Sequence, residues 1–430
     1  MAMTEQRVGG VASGVPVEGG PSPALPTPAA RRHKRIRGLD GPRGIACVCI
    51  LVVHVAGHYS VHTAESGKLQ ILGQALIFFF ALSGFLLYLP ILRALFADRD
   101  RQPDVRSFVV HRVLRIMPCY LVVFLIANFV LQAVFVRNAQ QALVLGSEAG
   151  TGMITDPVTF LANIFLVQTY VPGLIQTGIN PSWSLTLEYA FYISLPLVGW
   201  GLFALRRRRG TSPMVLALIA PIAFCVIGVV GTAVADAIAR AQGIDDIVAA
   251  NFGPNWSAVI LRSFLGGAQT FTFGMIAAVL FVAVESGALS ARFAVWARRV
   301  SAILLLPALL VMLVLLVLPS NQQVVATSFA SGLIIAIIVL PLAHDARSRI
   351  AEVVDWKPFE YLGRISLSMY LWHFPLLMLL GRWGVLGGDT WAGLGRNLLI
   401  VFAATVLCSA ITYRFVEKPA IDLARRVKTR

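Results

Sequence analysis

Long apolar runs separated by short polar segments occupy the chain from residue 42 to residue 416. Because a helix needs about 20 apolar residues to cross the hydrocarbon core of a bilayer, runs of that length predict transmembrane helices. The runs that qualify are 42–62, 70–92, 116–136, 181–205, 213–233, 258–284, 301–319, 324–343, 365–382 and 396–416. A shorter apolar stretch at 158–172 lies between Pro157 and Pro172, so we interpret it as a re-entrant or interfacial segment. The pattern predicts an all-α polytopic membrane protein with about ten transmembrane helices.

Composition agrees with this pattern and excludes two other classes of protein. Hydrophobic residues make up 57% of the 430 residues and charged residues only 13%, whereas soluble domains carry about 25% charged residues. Lys and Arg outnumber Asp and Glu by 36 to 21, but no soluble basic face is present in the pattern, so we expect no nucleic-acid binding. The five cysteines show no CxxC and no paired spacing typical of zinc sites, so we expect no metal.

The basic residues predict the orientation of the chain. A basic cluster at 31–37 precedes the first apolar run, which by the positive-inside rule indicates a cytoplasmic N-terminus. With alternating helices, the segments 93–115, 206–212, 285–300, 344–364 and the residues after 417 are cytoplasmic and rich in arginine. The segments predicted outside, 137–157, 234–257 and 383–395, hold only Arg137 and Arg240. We therefore expect a multi-pass membrane protein with both termini in the cytoplasm.

The two ends of the chain differ from its middle. Residues 1–37 are rich in Gly, Pro, Ala and Ser without an apolar period, which predicts a disordered basic tail. We predict a transmembrane domain over 38–419 and a basic cytoplasmic tail over 420–430.

Ionisable residues in the first apolar run are candidates for chemistry, because such groups are costly in lipid unless they face a polar cavity. Arg43 and His54 are eleven residues apart, so they share a helix face and lie about 16 Å apart along it. Asp40 and His58 fall near the same face. Near neutral pH His54 can accept a proton as a general base. A hydrogen-bonded core histidine, a proton relay in a transporter and a metal pair are the alternatives, and the metal pair lacks an HExxH carboxylate or an obvious third ligand.

Further candidates lie near the ends of other runs. Arg112 and Arg115 are three residues apart, on one helix face, and suit either membrane anchoring or the binding of donor phosphates. Glu188 lies two turns into a predicted span and needs a partner there. Tyr370 and His373 share a face, as active-site residues or as part of an aromatic belt.

Six short motifs together resemble the membrane-bound acyltransferase-3 family of bacterial O-acyltransferases. The first is a basic residue and a histidine with ten residues between them (Arg43 and His54), and the second is FFFALSGFL at 78–86. The third is an arginine motif that ends R-I-x-P-x-Y (Arg112, Arg115, Pro118, Tyr120). The others are P-x-W-S-L-x-x-E (Pro181 to Glu188), Y-L-x-H-x-P (Tyr370 to Pro375) and E-x-P (Glu417 to Pro419). Each motif is weak alone, but they occur in family order across nearly the whole membrane region. No soluble hydrolase-like domain follows the last span, so we expect a stand-alone member.

The resemblance implies transfer of an acyl group from acyl-coenzyme A, acetyl-coenzyme A or another short one, to a hydroxyl. The expected acceptor is a sugar, a secondary metabolite such as a macrolide, or a cell-envelope glycan or glycolipid. The implied catalytic set is His54 as general base, Asp40 or Glu188 to orient its ring, and Arg43 to stabilise the thioester oxyanion or bind donor phosphate. The implied donor site is Arg43, Arg112, Arg115 and Ser83, and the implied acceptor site is Trp183, Tyr370, His373 and His58. No metal is implied, since a thioester is already activated.

Two other functions remain open from the residues alone. Charges within the membrane and the interrupted segment at 158–172 also suit a proton-coupled transporter or flippase of a glycolipid or metabolite. The lack of an apparent internal repeat counts modestly against a transporter. A scaffold or sensor without turnover is the third possibility.

Overall fold

The computed structural model describes residues 36–142, 144–318, 321–344 and 348–426. Most of the predicted N-terminal tail, Arg347 and the last four residues lie outside the described residues. The α-helices are α1 Asp40–Tyr59, α2 Val61–Ser66, α3 Ala75–Phe96, α4 Val105–Leu125, α5 Ala139–Ala142, α6 Pro157–Ile164, α7 Trp183–Arg209, α8 Pro213–Ala241, α9 Ile247–Phe252, α10 Trp256–Arg262, α11 Phe264–Gly267, α12 Gln269–Glu285, α13 Ala291–Leu316, α14 Gln323–Val339, α15 Arg349–Val354, α16 Lys357–Arg364, α17 Ser366–Arg382, α18 Trp391–Thr412 and α19 Lys418–Arg426.

Other regular segments are short. The 3₁₀-helices are Leu69–Gln74, Gln168–Tyr170, Asn180–Ser182 and Leu340–His344, and the π-helices are Ile126–Val130 and Tyr413–Glu417. Strands β1 (Val134–Phe135) and β2 (Thr151–Gly152) pair antiparallel, with Val134 opposite Gly152.

The predicted all-α polytopic architecture is confirmed. Among the described residues, eight helical segments are long and apolar enough to span a bilayer: Asp40–Tyr59, Leu69–Phe96, Val105–Val130, Asn180–Arg209, Pro213–Ala241, Ala291–Leu316, Gln323–His344 and Trp391–Arg426. The other two predicted spans correspond to α12 and α17, of 17 residues each, near the lower limit of about 17 residues for a transmembrane helix. Each of the ten apolar runs therefore has a helical counterpart.

The boundaries of the run 258–284 and of the C-terminal tail differ from the prediction, whereas the stretch at 158–172 agrees with it. The run 258–284 is divided into α10, α11 and α12, because the Ser263 side chain ends α10 and accepts the Leu265 N–H that begins α11. The interrupted stretch at 158–172 forms α6 and one 3₁₀ turn, too short to span a bilayer. The predicted start of the C-terminal tail at 420 falls inside α19, which packs against α4.

The core of the bundle is the crossing of α3 and α12. Gly84 of α3 faces the Phe271 carbonyl, and Gly274 of α12 faces the Ala81 carbonyl, so closely that a Cβ at either glycine would overlap backbone atoms. Small residues permit such close approach of membrane helices. Phe271 also stacks on Phe191 of α7 at a centroid distance of 3.9 Å, which joins α7 to this crossing.

Apolar side chains also cover the outside of the bundle. On α13, Ile303 is 71% exposed and Leu306 65%, and on α8 Val226 is 56% exposed. Exposed apolar faces on helices of this length are expected where lipid, rather than water, surrounds the protein. These helices therefore form the periphery of the membrane domain.

Charged helix ends collect on one side of the bundle, which we name the Asp40 side after the first residue of α1. At the end of α3, Arg93 makes a two-pronged ion pair with Glu285 at the end of α12, with N···O distances of 2.7 and 2.8 Å. Arg206 at the end of α7 pairs with Asp98. The opposite side, at the end of α1, is the Tyr59 side.

On the Tyr59 side, the loop between the two strands is tied to the end of α1. The Gly146 N–H donates to the His58 carbonyl at 2.7 Å, and the His58 ring Nε2 donates to the Ser147 carbonyl at 3.1 Å. Asp389 similarly holds the start of α2 through the Thr63 N–H and hydroxyl, at 3.0 and 2.9 Å. These ties place the loops over the end of α1 that carries the histidines.

Candidate active site

His54 and His373 form a hydrogen-bonded pair where α1 meets α17. The distance between His54 Nδ1 and His373 Nε2 is 2.8 Å, and the ring planes differ by 21°. His373 is 2% exposed. The ring of Phe374 meets the His54 ring edge-on at a centroid distance of 5.3 Å and restricts its rotation.

A backbone carbonyl determines where the protons of this pair lie. His373 Nδ1 is 3.2 Å from the Met369 carbonyl, which can only accept a hydrogen bond, so His373 carries its proton on Nδ1. In the neutral ring, Nε2 then has a lone pair and accepts from His54 Nδ1–H. His54 therefore presents an unprotonated Nε2, and no hydrogen bond within the described residues engages that atom. This is the arrangement that a general base requires.

Arg43 lies on the same face of α1 as His54, about three turns closer to the Asp40 side. Its Nη2 donates to the Ser366 hydroxyl at 3.1 Å, and its Nη1 is 3.8 Å from an Asp40 carboxylate oxygen. Arg43 contacts Ser366 and His54 contacts His373, so the two polar contacts follow each other in the same order along α1 and α17. The two helices therefore run in the same direction. The predicted stripe of Asp40, Arg43 and His54 therefore faces another helix rather than lipid.

Around Arg43 lies a group that we name the charge cluster: Arg43, Arg112, Arg115, Glu188 and Glu417. Arg43 interacts electrostatically with Arg115, Glu417 and Glu188, and Arg112 with Arg115 and Glu188. Four different helical segments supply these side chains. Its two carboxylates face three guanidinium groups, and Asp40 lies beside Arg43 as a further carboxylate.

Glu188 belongs to the charge cluster and not to the histidine pair. One carboxylate oxygen accepts the Ser83 hydroxyl at 2.8 Å, and the side chain also hydrogen bonds with Tyr192. The structure thus pairs two predicted site residues, Ser83 and Glu188, from the second and fourth spans. Neither Glu188 nor Asp40 has a hydrogen bond to His54, whose orienting partner among the described residues is His373. The expectation that Asp40 or Glu188 orients the His54 ring does not match this geometry.

Arg112 has an unsatisfied donor. Its guanidinium lies 5.7 Å from the Phe108 ring centroid and 6.0 Å from that of Tyr192. Its Nε is shielded from solvent and has no hydrogen-bond partner among the described residues. A buried N–H of a cation that lacks an acceptor is costly, so this position is suited to an anionic ligand.

Glu417 is the member of the charge cluster for which the sequence motifs predicted no role. It lies in the π-helical turn Tyr413–Glu417, is 2% exposed and accepts the Ser368 hydroxyl at 2.8 Å. A carboxylate at the end of an apolar run was a usable signal, because such a residue needs a partner in the membrane. Phe374 and Ser366 carried no comparable signal.

Tyr370 and Trp183 lie beside the histidine pair, where α17 meets the start of α7. The Tyr370 hydroxyl donates to the Pro181 carbonyl at 2.9 Å and lies 2.8 Å from the Ser184 hydroxyl. The Tyr370 and His373 ring centroids are 5.7 Å apart. The Arg262 guanidinium lies over the Trp183 ring, 4.4 Å from the ring centroid. The P-x-W-S-L-x-x-E segment is therefore joined to the histidine pair through Tyr370.

The predicted site residues thus fall into two connected groups. One group holds Arg43, Arg112, Arg115, Glu188 and Ser83, with Asp40 beside Arg43, and the other holds His54, His373, Tyr370 and Trp183. The Phe374 ring contacts His58 as well as His54, but the His58 Nε2 is engaged in a hydrogen bond to the Ser147 carbonyl. Among the described residues no three His, Cys, Asp or Glu side chains converge as a metal site.

This arrangement, a membrane bundle with a hydrogen-bonded histidine pair beside an arginine-rich cluster, defines a class that comparison with known proteins identifies. The acyltransferase-3 family model, described as an acyltransferase domain, matches residues 36–414. The chain therefore belongs to this family of membrane acyltransferases, and it is an acyltransferase rather than a transporter.

Among the curated relatives, acyltransferase MdmB of Streptomyces mycarofaciens is 26% identical over 92% of this chain and 94% of its own length. The putative peptidoglycan O-acetyltransferase YrhL of Bacillus subtilis is 22% identical over 90% of this chain, which spans only 55% of that relative. The O-acetyltransferase OatA of Staphylococcus aureus is 35% identical over 21% of this chain and 14% of its own length. No solved structure matches the chain.

Proposed function

We propose that the protein transfers an acyl group, acetyl or another short acyl, from acyl-coenzyme A to a hydroxyl of a sugar-containing acceptor, with His54 as general base. The observation that carries the proposal is the unprotonated His54 Nε2 held in place by His373. Two relatives are O-acetyltransferases by name, one of them a putative peptidoglycan O-acetyltransferase, which supports a hydroxyl acceptor.

The proposed reaction needs one proton carrier and no cofactor other than the donor. His54 Nε2 takes the proton of the acceptor hydroxyl as the oxygen attacks the thioester carbonyl. The tetrahedral intermediate then collapses, the C–S bond breaks, and the imidazolium returns the proton to the leaving thiolate. Such general base catalysis is worth about 10²–10⁴ in rate. Through its Nε2 lone pair, His373 accepts from His54 Nδ1–H and stabilises the imidazolium while it exists.

Positive charge at the Asp40 side supports a donor that enters from there. Arg112 and Arg115 bind the donor diphosphate, and the unpartnered Arg112 Nε supplies one hydrogen bond. Arg43 is eleven residues from His54, or about 16 Å along α1, a distance that the extended pantetheine arm spans. Arg43 thus meets the inner part of the donor, while Glu188, bonded to Ser83, balances the arginine charge and holds the cluster in place.

The acceptor is proposed to bind on the Tyr59 side, near Tyr370, Trp183 and His373. Hydroxyl and aromatic groups there match the polar edges and apolar faces of a sugar. A secondary metabolite such as a glycosylated macrolide and a cell-envelope glycan or glycolipid both fit this description. In the proposed orientation the protein lies in the bacterial plasma membrane, with the Asp40 side and both termini in the cytoplasm. Collection of the arginine-rich helix ends on one side supports this orientation.

A label-transfer assay tests the proposal and does not require the acceptor to be identified first. Membrane vesicles from the parent strain with the gene deleted, and from the same strain complemented, receive acetyl-coenzyme A labelled in the acetyl group. Alkali-labile label in the glycan, lipid or metabolite fraction that depends on the gene is the expected result. Mass spectrometry of that fraction then identifies the acceptor.

Two histidine variants test the role of the base. His54→Ala should lower gene-dependent transfer by about 10²–10⁴. His62→Ala is the matched control, because that residue is exposed and follows in the same region of the chain. If complemented membranes transfer no label from any acyl-coenzyme A, the proposed donor is wrong. If His54→Ala transfers label as fast as His62→Ala, the base assignment is wrong.

A further inference from the structure

A cavity of about 810 Å³ lies at the Asp40 side, outside the charge cluster. Its wall is formed by the connection between α3 and α4 and by the last turns of α7. The lining side chains that carry the argument are Arg101, Asp104, Trp200 and Arg207. None of the sequence motifs includes them.

The chemistry of this wall suits a phosphorylated aromatic ligand. Arg207 donates from one nitrogen to the Asp100 carbonyl at 3.1 Å, and Arg101 lines the same wall. Asp104 is instead engaged with the N–H groups of Arg106 and Ser107, at 3.2 and 2.9 Å. Trp200 offers an indole face, 67% exposed, beside the two guanidinium groups. Guanidinium groups bind phosphate, and an indole face stacks on a nucleobase.

An apolar pocket adjoins this cavity on the side of the charge cluster. The pocket shares Gln102, Pro103 and Val105 with the cavity and extends inward to Phe108 and Pro196, between α3, α4 and α7. Prolines in helices remove a backbone donor and kink the helix, and Pro90 of α3 lines the same pocket as Pro196 of α7. The cavity and the small apolar pocket, of about 30 Å³, therefore lie next to each other at the start of α4.

One residue of the apolar pocket contacts the arginine with the unpartnered donor. Phe108 is the ring next to the Arg112 guanidinium, at 5.7 Å. From Asp104 at the cavity to Arg115 is eleven residues, or about 16 Å along α4. The cavity, Arg112 with Arg115, and His54 thus occur in the order of the adenosine, diphosphate and thioester of an extended acyl-coenzyme A.

We propose that this cavity binds the adenosine 3′-phosphate end of the donor, with the 3′-phosphate between Arg101 and Arg207 and the adenine against Trp200. The inference rests on the proposed acyl-coenzyme A donor. It assigns donor selection to a surface about one coenzyme length from the base, so that the enzyme discriminates acyl-coenzyme A from thioesters that lack the nucleotide.

Truncated donors test this assignment. Label transfer is measured with acetyl-coenzyme A, acetyl-dephospho-coenzyme A and acetyl-4′-phosphopantetheine, for the wild type, Arg207→Gln and Arg101→Gln. Each variant should raise KM for acetyl-coenzyme A about tenfold, as expected for loss of a charge-assisted hydrogen bond, and leave kcat unchanged. With acetyl-4′-phosphopantetheine, wild type and variants should be equal, because that donor lacks the group that the arginines bind.

Controls separate this inference from the proposed function and from a lipid site. Arg292→Gln makes the same charge change at an exposed arginine that does not line the cavity, and it should keep the wild-type KM. An anionic lipid headgroup carries the same phosphate chemistry, so the assay is repeated in vesicles with and without phosphatidylglycerol. If KM rises equally for all three donors, or rises only in vesicles with phosphatidylglycerol, the nucleotide assignment is wrong. If the wild type uses no acyl-coenzyme A, the proposed function fails instead.

Discussion

Replacement of His373 tests the structure most directly, because this residue holds the proposed base His54 through a hydrogen bond. His373→Leu keeps a buried side chain but removes the acceptor of His54 Nδ1–H. An unsatisfied buried donor costs about 1–3 kcal/mol, which at about 1.36 kcal/mol per factor of ten predicts a roughly 5- to 150-fold lower kcat. His373→Gln retains an acceptor oxygen at the end of a side chain of similar reach and should recover most of the rate.

The assay is label transfer from acetyl-coenzyme A at saturating donor, with thermal stability of each purified variant measured in detergent. The double variant His54→Ala with His373→Leu is the decisive comparison. If His373 acts through His54, the double variant is no slower than His54→Ala alone, since coupled residues are not additive. A double variant that is slower again, or a His373→Leu enzyme at the wild-type rate, would refute the proposed relay.

Two further predictions concern stability. Gly274→Ala places a Cβ 2.5 Å from the Ala81 carbonyl carbon, so it should destabilise the fold by about 1–3 kcal/mol. Gly201→Ala is the control, because open space surrounds that position, and it should be neutral or stabilising. Thermal unfolding in detergent compares the two variants with the wild type. Asp389 accepts from the Thr63 N–H, which lowers its pKa below the ordinary value of 3.8. A carboxyl group with a lowered pKa adds stability above its unfolded pKa that disappears as the pH falls through its folded pKa. Asp389→Asn should therefore lower the midpoint of thermal unfolding at pH 7. The difference in midpoint between variant and wild type should disappear as the pH falls below the pKa of Asp389. Equal midpoints at pH 7 would contradict the assignment.

Most of the architecture could be predicted from the sequence, because burial in lipid imposes long apolar runs and internally bonded helices. The division of the run 258–284 could not be read from hydropathy, since Ser263, Gly266 and Gly267 interrupt the helix without interrupting the apolar pattern. Hydropathy also gave no reason to extend the last helical segment through α19.

The candidate site was predictable in its members and not in its pairings. Periodicity correctly placed Arg43 and His54 along one stripe of α1, because helical geometry fixes which residues share a face. It could not identify the helix against which that stripe packs. His54 and His373 are 319 residues apart in the chain, and no local pattern connects them.

The helices, the residues available for chemistry and the membership in a family of membrane acyltransferases all follow from the sequence. Only the packed bundle reveals that His373, rather than Asp40 or Glu188, contacts the His54 ring, and that Glu417 joins the arginines. This difference arises because hydrophobic burial and helix geometry act along the chain and leave a pattern in it. The proton positions of a histidine pair depend instead on hydrogen bonds between helices, which form only when the bundle has packed.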